Sequence, residues 1–224
     1  MDLLLVRHAQ THANVAGALD TALPGADLTE LGERQARALV DLLADERIDA
    51  VWCSPTLRTR RTAEGVARAH GLTPRVHPGL VEISAGDWEM STADEHGVAY
   101  REAIVAGVSG GGAALVPGGE SADQVFARFD AAIAEIRATG AERVAVVSHG
   151  AVLRAWCGAR VPNVPAALVR DRPLGNTGLV RLHSHDGGWA ASEWDTELVR
   201  PGGAAGPAAQ GTRETSAPRS AGRP

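Results

Sequence analysis

Two short, fully apolar runs constrain the fold most, because both end in the same unusual way. Leu3–Val6 is followed by Arg7-His8, and Val144–Val147 is followed by Ser148-His149. Apolar runs of this length are typical of strands that are buried on both faces of a parallel sheet. Open α/β sheets bind their ligands at the carboxyl ends of such strands. We therefore expect both histidines to face one crevice at the carboxyl edge of the sheet.

Helix signals separate the strands. Thr29 is expected to cap a first helix that carries Glu30 in its first turn, and Ser54-Pro55 to supply the N-cap and first residue of a second helix. The pattern also predicts strands over 49–53, 75–82, 176–182 and 188–194, a weak helix over 91–106, and an amphipathic helix after Glu120-Ser121. This alternation indicates an α/β protein, a three-layer α/β/α sandwich with a mainly parallel central sheet.

Length and composition indicate one domain. A chain of 224 residues with 44% hydrophobic residues can bury one sizeable core, which we assign to residues 1–200. Residues 201–224 contain mainly Gly, Ala, Pro, Ser, Thr and Arg, so they cannot bury enough apolar surface to offset the entropy of ordering. We expect them to form a disordered C-terminal tail.

Charge and cysteine content narrow the functional classes. The net charge is −5 and no block of Lys and Arg exceeds two residues, which argues against nucleic acid or a membrane as a partner. Cys53 and Cys157 are far apart, which favours reduced thiols, and the chain begins without a basic leader or a long apolar segment. The expected location is the cytoplasm.

The residues at the predicted strand and helix ends suit phosphoryl chemistry. Arg58 lies in the first turn of the second helix, and Glu82 ends the strand predicted over 75–82. Guanidinium groups such as those of Arg7 and Arg58 can bind phosphoryl oxygens, and an imidazole can attack phosphorus. A carboxyl group can protonate the oxygen that leaves. Together these groups predict a phosphoryl-transfer site.

At these residues the chain resembles the histidine phosphatase superfamily, whose fold is the phosphoglycerate-mutase-like sandwich. The resemblance spans about residues 2–182 and rests on six motifs in the family's order. They are Arg7-His8 with Thr11 and Asn14, Leu28-Thr29-x-x-Gly32-x-x-Gln35-Ala36, Ser54-Pro55-x-x-Arg58-x-x-x-Thr62-Ala63, Leu80-x-Glu82 with Gly86-x-Trp88-Glu89, Gly119-Glu120-Ser121, and Ser148-His149-Gly150.

The resemblance implies a role for each matching residue. His8 would be the nucleophile that becomes phosphohistidine, Glu82 the proton donor, and no metal or other cofactor would be needed. The phosphoryl oxygens and the substrate would be held by Arg7, Gln10, Thr11, Asn14, Arg58, Glu82, His149 and Gly150. The chain departs from the family at Ala9, where glycine is usual. Alanine there would carry a cost if the backbone needed a positive φ.

Three functions stay open from the sequence. The first is a metal-independent phosphomonoesterase that acts on small phosphorylated metabolites. The second is a phosphoglycerate mutase, which the resemblance makes less favoured because mutases carry a longer insertion than the 67 positions between Glu82 and His149. The third is a phosphate-binding module without turnover. The sequence leaves the oligomeric state open.

Two further features are weaker. His183 with His185, or His8 with His12, could share a metal ion, but no cluster of carboxylates or cysteines accompanies them. Residues 83–118 are expected to cover the mouth of the site, with contacts from Trp88, His96, Tyr100 and Arg101. Their character predicts a modest substrate rather than a multiply charged one.

Overall fold

The computed structural model describes residues 1–186, 188–195 and 197–198. The tail expected over 201–224 therefore lies outside the described residues, as does the domain boundary expected at residue 200. The elements are β1 (Asp2–Arg7), α1 (His12–Ala16), α2 (Glu30–Leu42), β2 (Ala50–Cys53), α3 (Leu57–Ala69), β3 (Arg75–Val76), two 3-10 helices (Pro78–Leu80 and Gly86–Trp88), α4 (Asp94–Gly107), α5 (Ala122–Ala138), β4 (Arg143–Ser148), α6 (Gly150–Arg160), α7 (Ala166–Asp171), β5 (Leu179–His185), β6 (Gly188–Trp194) and β7 (Glu197–Leu198).

The strands form one mixed sheet in the order β3-β2-β4-β1-β5-β6-β7. The four strands from β3 to β1 are parallel neighbours, whereas β5, β6 and β7 join as antiparallel strands. Crossover helices connect the parallel strands, so the carboxyl ends of β1, β2 and β4 lie at the same edge. The mainly parallel sheet that the sequence predicts is confirmed.

Alternation along β1 builds a core on each face of the sheet. Leu3 and Leu5 pack into a cluster with residues of α4, α5, α6 and α7. Leu4 and Val6 pack into a second cluster with residues of α2 and α3. Because successive side chains of a strand point to opposite faces, one apolar run serves both layers of helices. The three-layer α/β/α sandwich is thus confirmed.

Two of the predicted boundaries are wrong. The second helix begins at Leu57, and its N-cap is Thr56 rather than Ser54. Pro55 favours extended backbone in the residue before it, and Thr56 is itself extended, so the helix starts later than the Ser-Pro signal indicates.

The strand predicted to end at Glu82 is also wrong. Pairing with β2 stops at Val76, and Pro78 starts a 3-10 helix that runs to Leu80. Proline has no N–H with which to continue the ladder, so this segment leaves the sheet.

The remaining boundaries differ less. The first helix is confirmed, with Thr29 accepting a hydrogen bond from the N–H of Gly32. The predicted strand at 176–182 begins only at Leu179, because the N–H of Gly178 closes a turn on Gly175.

No helix in the described part of the chain is long and apolar enough to cross a membrane.

Candidate active site

Two imidazoles lie together at the carboxyl edge of the sheet. His8 follows β1 and His149 follows β4, and these parallel neighbours pair with Arg7 opposite Ser148. The ring centroids of the two histidines are 5.3 Å apart, with 64° between the ring planes. Only 4% of His8 and none of His149 is exposed. The two apolar runs therefore deliver both rings to one buried place, as expected.

Among the described residues, only one ring nitrogen of His8 makes a hydrogen bond. Its Nδ1 lies 2.7 Å from the carbonyl oxygen of Ala9, and because a carbonyl can only accept, Nδ1 carries the proton. Burial lowers the pKa of His8 well below its usual range, and the charges of Arg58 and Arg7 lower it further. The ring is therefore neutral at neutral pH, with the lone pair on Nε2.

The guanidinium groups of Arg7, which is half-buried, and Arg58, which is buried, flank the imidazoles. Nη1 of Arg7 donates to the carbonyl oxygen of Leu174 at 2.7 Å, and its buried Nε has no hydrogen-bond partner among the described residues. Arg58 is 1% exposed, and its Nη1 and Nη2 contact the carboxylate and the carbonyl of Asp20 at 3.3 and 2.9 Å. Asp20 thereby fixes Arg58, while both arginines keep donors for an anion.

The Glu82 carboxyl group lies at the N-terminus of α6. One oxygen accepts the N–H groups of Ile83 and Val152 at 2.9 and 2.8 Å, and the other accepts that of Ala151 at 3.0 Å. Arg128 holds the preceding backbone by donating to carbonyls of the 79–82 segment, including that of Glu82 at 3.0 Å. A long-range contact, and not a strand, therefore positions this acid.

A cavity of about 260 Å³ opens over His8. Most of the residues predicted from the sequence line it, and these are Arg7, His8, Asn14, Arg58, Glu82 and Gly150. Of the residues expected at its mouth, Tyr100 and Arg101 line it as well. His149 lies against His8, and Trp88 stacks on His96 with ring centroids 5.0 Å apart. Groups that can bind, attack and protonate a phosphate ester thus converge on one cavity.

Comparison with known proteins assigns the chain to a family. The model of the histidine phosphatase superfamily (branch 1) matches residues 3–197. The chain belongs to the histidine phosphatase superfamily. The resemblance inferred from the six motifs is therefore confirmed.

Relatives of this chain include a probable mutase and a phosphatase. The probable phosphoglycerate mutase GpmB of Photorhabdus laumondii is 32% identical over 203 residues, which cover 89% of this chain and 92% of that protein. The solved structure of a mycobacterial glucosyl-3-phosphoglycerate phosphatase in complex with VO3 has a TM-score of 0.74 and 28% identity, over 88% of this chain and 99% of that one. The family relationship thus supports phosphoryl transfer.

One relative is much longer than this chain. The PE-PGRS family protein PE_PGRS11 of Mycobacterium tuberculosis is 32% identical over 213 residues, which cover 88% of this chain. This chain spans about a third, 36%, of the length of that protein.

Three polar residues expected in the pocket make hydrogen bonds that hold the surrounding structure. Gln10 accepts a hydrogen bond from the hydroxyl of Thr29 at 2.8 Å, and Thr11 caps α1 in a reciprocal pair with Asn14. Neither Gln10 nor Thr11 is among the residues that line the cavity. Asn14 lines it and also accepts a hydrogen bond from Asn176.

Sequence reasoning missed three residues of the site. Ser54, expected as a helix cap, lies with its Oγ 2.7 Å from Nε2 of His149. No sequence pattern indicated Asp20, because it lies in a loop that has no hydrophobic periodicity. Arg154 lines the cavity from inside an otherwise apolar stretch of α6. A charged residue within such a stretch is a signal that could have been used.

The alternative of a histidine metal site gains no support from the contacts of His183. Its Nδ1 lies 2.8 Å from Asp2, and its Nε2 lies 2.8 Å from the hydroxyl of Ser192. Among the described residues, no group of three or more His, Cys, Asp or Glu is arranged to hold a metal ion.

Proposed function

We propose that this histidine phosphatase is a metal-independent phosphomonoesterase that hydrolyses small phosphorylated metabolites through a phosphohistidine intermediate. The observation that carries the proposal is the free Nε2 of a neutral, buried His8 in a cavity that Arg7 and Arg58 also line. Transfer of a phosphoryl group requires a nucleophile for phosphorus and positive charge for its oxygens. This arrangement supplies both.

In the first step, Nε2 of His8 attacks phosphorus and the bond to the ester oxygen breaks. Arg7 and Arg58 donate hydrogen bonds to the phosphoryl oxygens during the transfer. Nε2 of His149 lies 2.7 Å from the hydroxyl of Ser54, and its buried Nδ1 has no hydrogen-bond partner among the described residues, so Nδ1 is the nitrogen that can donate to the phosphoryl group when it carries the proton. The ester oxygen takes a proton from Glu82 and leaves as the alcohol.

In the second step, water attacks the phosphorus of phosphohistidine and the bond to Nε2 breaks. The Glu82 carboxylate accepts the proton of that water, inorganic phosphate leaves, and His8 returns to its neutral form. Both oxygens of Glu82 accept backbone hydrogen bonds in this structure. Three of its four lone-pair sites are thus occupied, and the fourth, on the oxygen that accepts only the N–H of Ala151, can carry the proton.

Transfer of the phosphoryl group from His8 to water is favoured over its transfer to a second substrate molecule. The 67 positions between Glu82 and His149 are fewer than the resemblance implies for mutases that carry the longer insertion. Within that interval, Arg128 is engaged by Glu120 and by the carbonyls of the 79–82 segment. Arg128 is therefore not available to bind a substrate that would accept the phosphoryl group.

The decisive test is to trap the intermediate. Acid-labile, base-stable phosphate should be bound to the wild-type protein quenched during turnover, and His8→Ala should carry none and release no phosphate. Labelled His8→Ala protein would assign the nucleophile to another residue. A coupled mutase assay with phosphoglycerate should give no product, whereas mutase product without net phosphate release would overturn hydrolysis.

Metal independence follows from the charge of the site. Guanidinium groups supply the positive field that a divalent cation supplies in other phosphatases. Phosphate release should therefore continue after exhaustive chelation, and vanadate should inhibit it as an analogue of the transferring group. Activity that disappears in EDTA and returns with added zinc or magnesium would contradict this proposal.

A further inference from the structure

Three hydroxyl groups form a cluster behind His149, and the phosphoryl chemistry assigns no task to it. Ser54 follows β2, Thr56 is the N-cap of α3, and Thr59 lies in the first turn of that helix. All three residues and His149 are fully buried. The motif that begins at Ser54 leaves positions 56 and 59 unspecified, so the resemblance to the family gives the two threonines no role.

The hydroxyl groups contact one another and the imidazole. Oγ of Ser54 lies 3.1 Å from Oγ1 of Thr56 and 2.9 Å from Oγ1 of Thr59, and it lies 2.7 Å from Nε2 of His149. The two threonine oxygens are 2.9 Å apart. Although Thr56 is an N-cap by position, its side chain makes no capping hydrogen bond. Its hydroxyl is therefore used within the cluster.

The direction of the hydrogen bonds is fixed at Thr59. Its Oγ1 lies 2.8 Å from the carbonyl oxygen of Ser54 and 3.0 Å from that of Thr56. Because a carbonyl can only accept, the single hydroxyl hydrogen of Thr59 is directed to these two oxygens. Oγ1 of Thr59 is thus left as an acceptor for the hydroxyl groups of Ser54 and Thr56.

The supply of hydrogens decides which way the bond between Ser54 and His149 runs. Four contacts join the three hydroxyl oxygens and Nε2, and Thr59 has no hydrogen to give to them. If Nε2 carries a hydrogen, the ring, Ser54 and Thr56 supply three; if it does not, only the two hydroxyl groups do. Buried polar groups favour the larger number of hydrogen bonds. Nδ1 has no partner among the described residues in either case. The neutral ring therefore carries its hydrogen on Nε2.

A ring with its hydrogen on Nε2 has a lone pair on Nδ1. That lone pair would repel phosphoryl oxygens, so Nδ1 can donate to them only after the ring takes up a proton there. Ser54 can accept from Nε2 in both forms of the ring, because Thr59 continues to accept the hydrogen of Ser54. The cluster thus suits both the neutral imidazole and the imidazolium.

The surroundings of His149 oppose that second proton in the free protein. Burial lowers the pKa of His149 well below its usual range. The groups that lower it further are those of Arg58, His8, Arg128 and Arg7. A dianion in the cavity acts in the opposite direction, because a negative charge favours the charged form of the ring. Entry of an anion is therefore the event that favours uptake of the second proton.

We propose that Thr59 is a positioning residue that acts on His149 through Ser54. By accepting the hydrogen of Ser54, it leaves Ser54 to accept from Nε2, and the ring takes up a proton from solvent on Nδ1 when an anion binds. The position of the hydrogen in the free protein does not depend on the proposed phosphomonoesterase function. The uptake of the second proton rests on that function, because it requires an anion in the cavity.

Nitrogen-15 NMR of the full chain labelled at histidine tests the position of the hydrogen. Long-range correlation spectra at about pH 8 distinguish a ring nitrogen that carries a hydrogen from one that carries a lone pair, and His149→Asn identifies the signals. The wild type should carry the hydrogen on Nε2. In Thr59→Val the hydrogen of Thr56 has only Ser54 as an acceptor, so Ser54 should donate to Nε2 and the ring hydrogen should move to Nδ1.

Thr56→Val is the matched control, because it removes the neighbouring hydroxyl and leaves Thr59 to accept from Ser54. It should keep the ring hydrogen on Nε2, and Thr59→Ser should keep it there as well. If Thr59→Val does not fold, Thr59→Ala removes the same hydroxyl without placing a methyl group in its position. A hydrogen on Nδ1 in the wild type, or a ring that is unchanged in the variants without this hydroxyl, would overturn the proposal.

Tungstate, which stays a dianion at neutral pH, tests the uptake of the second proton. Uptake of one proton on binding should raise the Kd of the wild type by up to ~10-fold per pH unit between about pH 7 and 8. Thr56→Val and Thr59→Ser should show the same slope. The slope of Thr59→Val should be shallower, because its Nδ1 already carries a hydrogen, and any proton taken up by Glu82 is common to all of these proteins.

The two parts of the proposal fail separately. Equal slopes in the wild type and Thr59→Val would overturn the uptake of the second proton, whatever the NMR spectra show. Failure of the wild type to bind tungstate at all would count against the phosphoryl site itself, and hence against the proposed function. The NMR result for the free protein would stand in that case.

Discussion

At the scale of single residues, Ala9 is the departure from the family pattern, and its surroundings explain why alanine is accommodated. The backbone of Ala9 is not in the positive-φ region that favours glycine. Its methyl group is buried against Leu28 and Ala36, and its N–H donates to the hydroxyl of Thr62 at 3.0 Å. The cost expected for a position that needs a positive φ therefore does not arise.

Ala9→Gly should lower stability without improving catalysis. Loss of a buried methyl group costs about 0.8 kcal/mol, and the greater backbone freedom of glycine in the unfolded chain costs roughly 0.4–1 kcal/mol more. Denaturant titration should show a loss of about 1–2 kcal/mol in the free energy of unfolding. A rise in kcat for p-nitrophenyl phosphate would instead show that the methyl group hinders the active site.

At the scale of elements, the N-terminus of α6 and the acid of the site share their contacts. The N–H groups of Ala151 and Val152 lack partners within the helix, and Glu82 accepts both. Glu82 could therefore be a helix cap, a proton donor, or both. Loss of a helix cap would lower the rate of hydrolysis by the same factor for every substrate. Loss of a proton donor would lower the rate only for substrates that have a poor leaving group.

Glu82→Gln separates these roles. Hydrolysis of an alkyl phosphate should slow by about 10²–10⁴-fold, the usual contribution of a general acid, whereas p-nitrophenyl phosphate should lose much less because its phenol leaves as an anion. Thermal unfolding should show that the weakened cap lowers the free energy of unfolding by roughly 1 kcal/mol. Glu89→Gln is the matched control, since Glu89 binds Thr21 and Ala22 and does not line the cavity. Equal losses on both substrates would make Glu82 a cap alone.

At the scale of the whole molecule, folding buries two neutral imidazoles among arginines. Burial lowers the pKa of His8 and of His149 well below the usual range, and the charge of Arg58 is the next cause for both rings. In the unfolded chain both titrate near pH ~6.5. Below that pH the unfolded state binds more protons than the folded state, so the free energy of unfolding decreases as the pH falls.

The expected stability profile follows from this difference. Between about pH 6.5 and 5, each ring that stays neutral removes up to ~1.4 kcal/mol of stability per pH unit. Urea titrations at several pH values should show this slope in the wild type and a shallower slope in His8→Asn, with the exposed His12→Asn as the matched control. A stability that does not change between pH 7 and 5 would contradict the lowered pKa values.

The sequence by itself determined the sandwich and the two histidines of the site. The apolar runs before His8 and His149 specify strands through local pattern alone, and parallel strands end at a common edge. Thr29 likewise caps its helix as predicted, because a cap needs only residues within one turn, and the helix predicted after Ser121 begins at Ala122.

Only the tertiary structure decided how the polar groups between these elements are used. Ser54 contacts His149, 95 positions away, instead of capping a helix, and Glu82 reaches α6 from a segment that leaves the sheet. Arg154 donates from α6 to the carbonyl oxygen of Val169 in α7. Each outcome depends on which distant segment supplies the hydrogen bonds and charges that a buried polar group requires, and local periodicity carries no information about that partner.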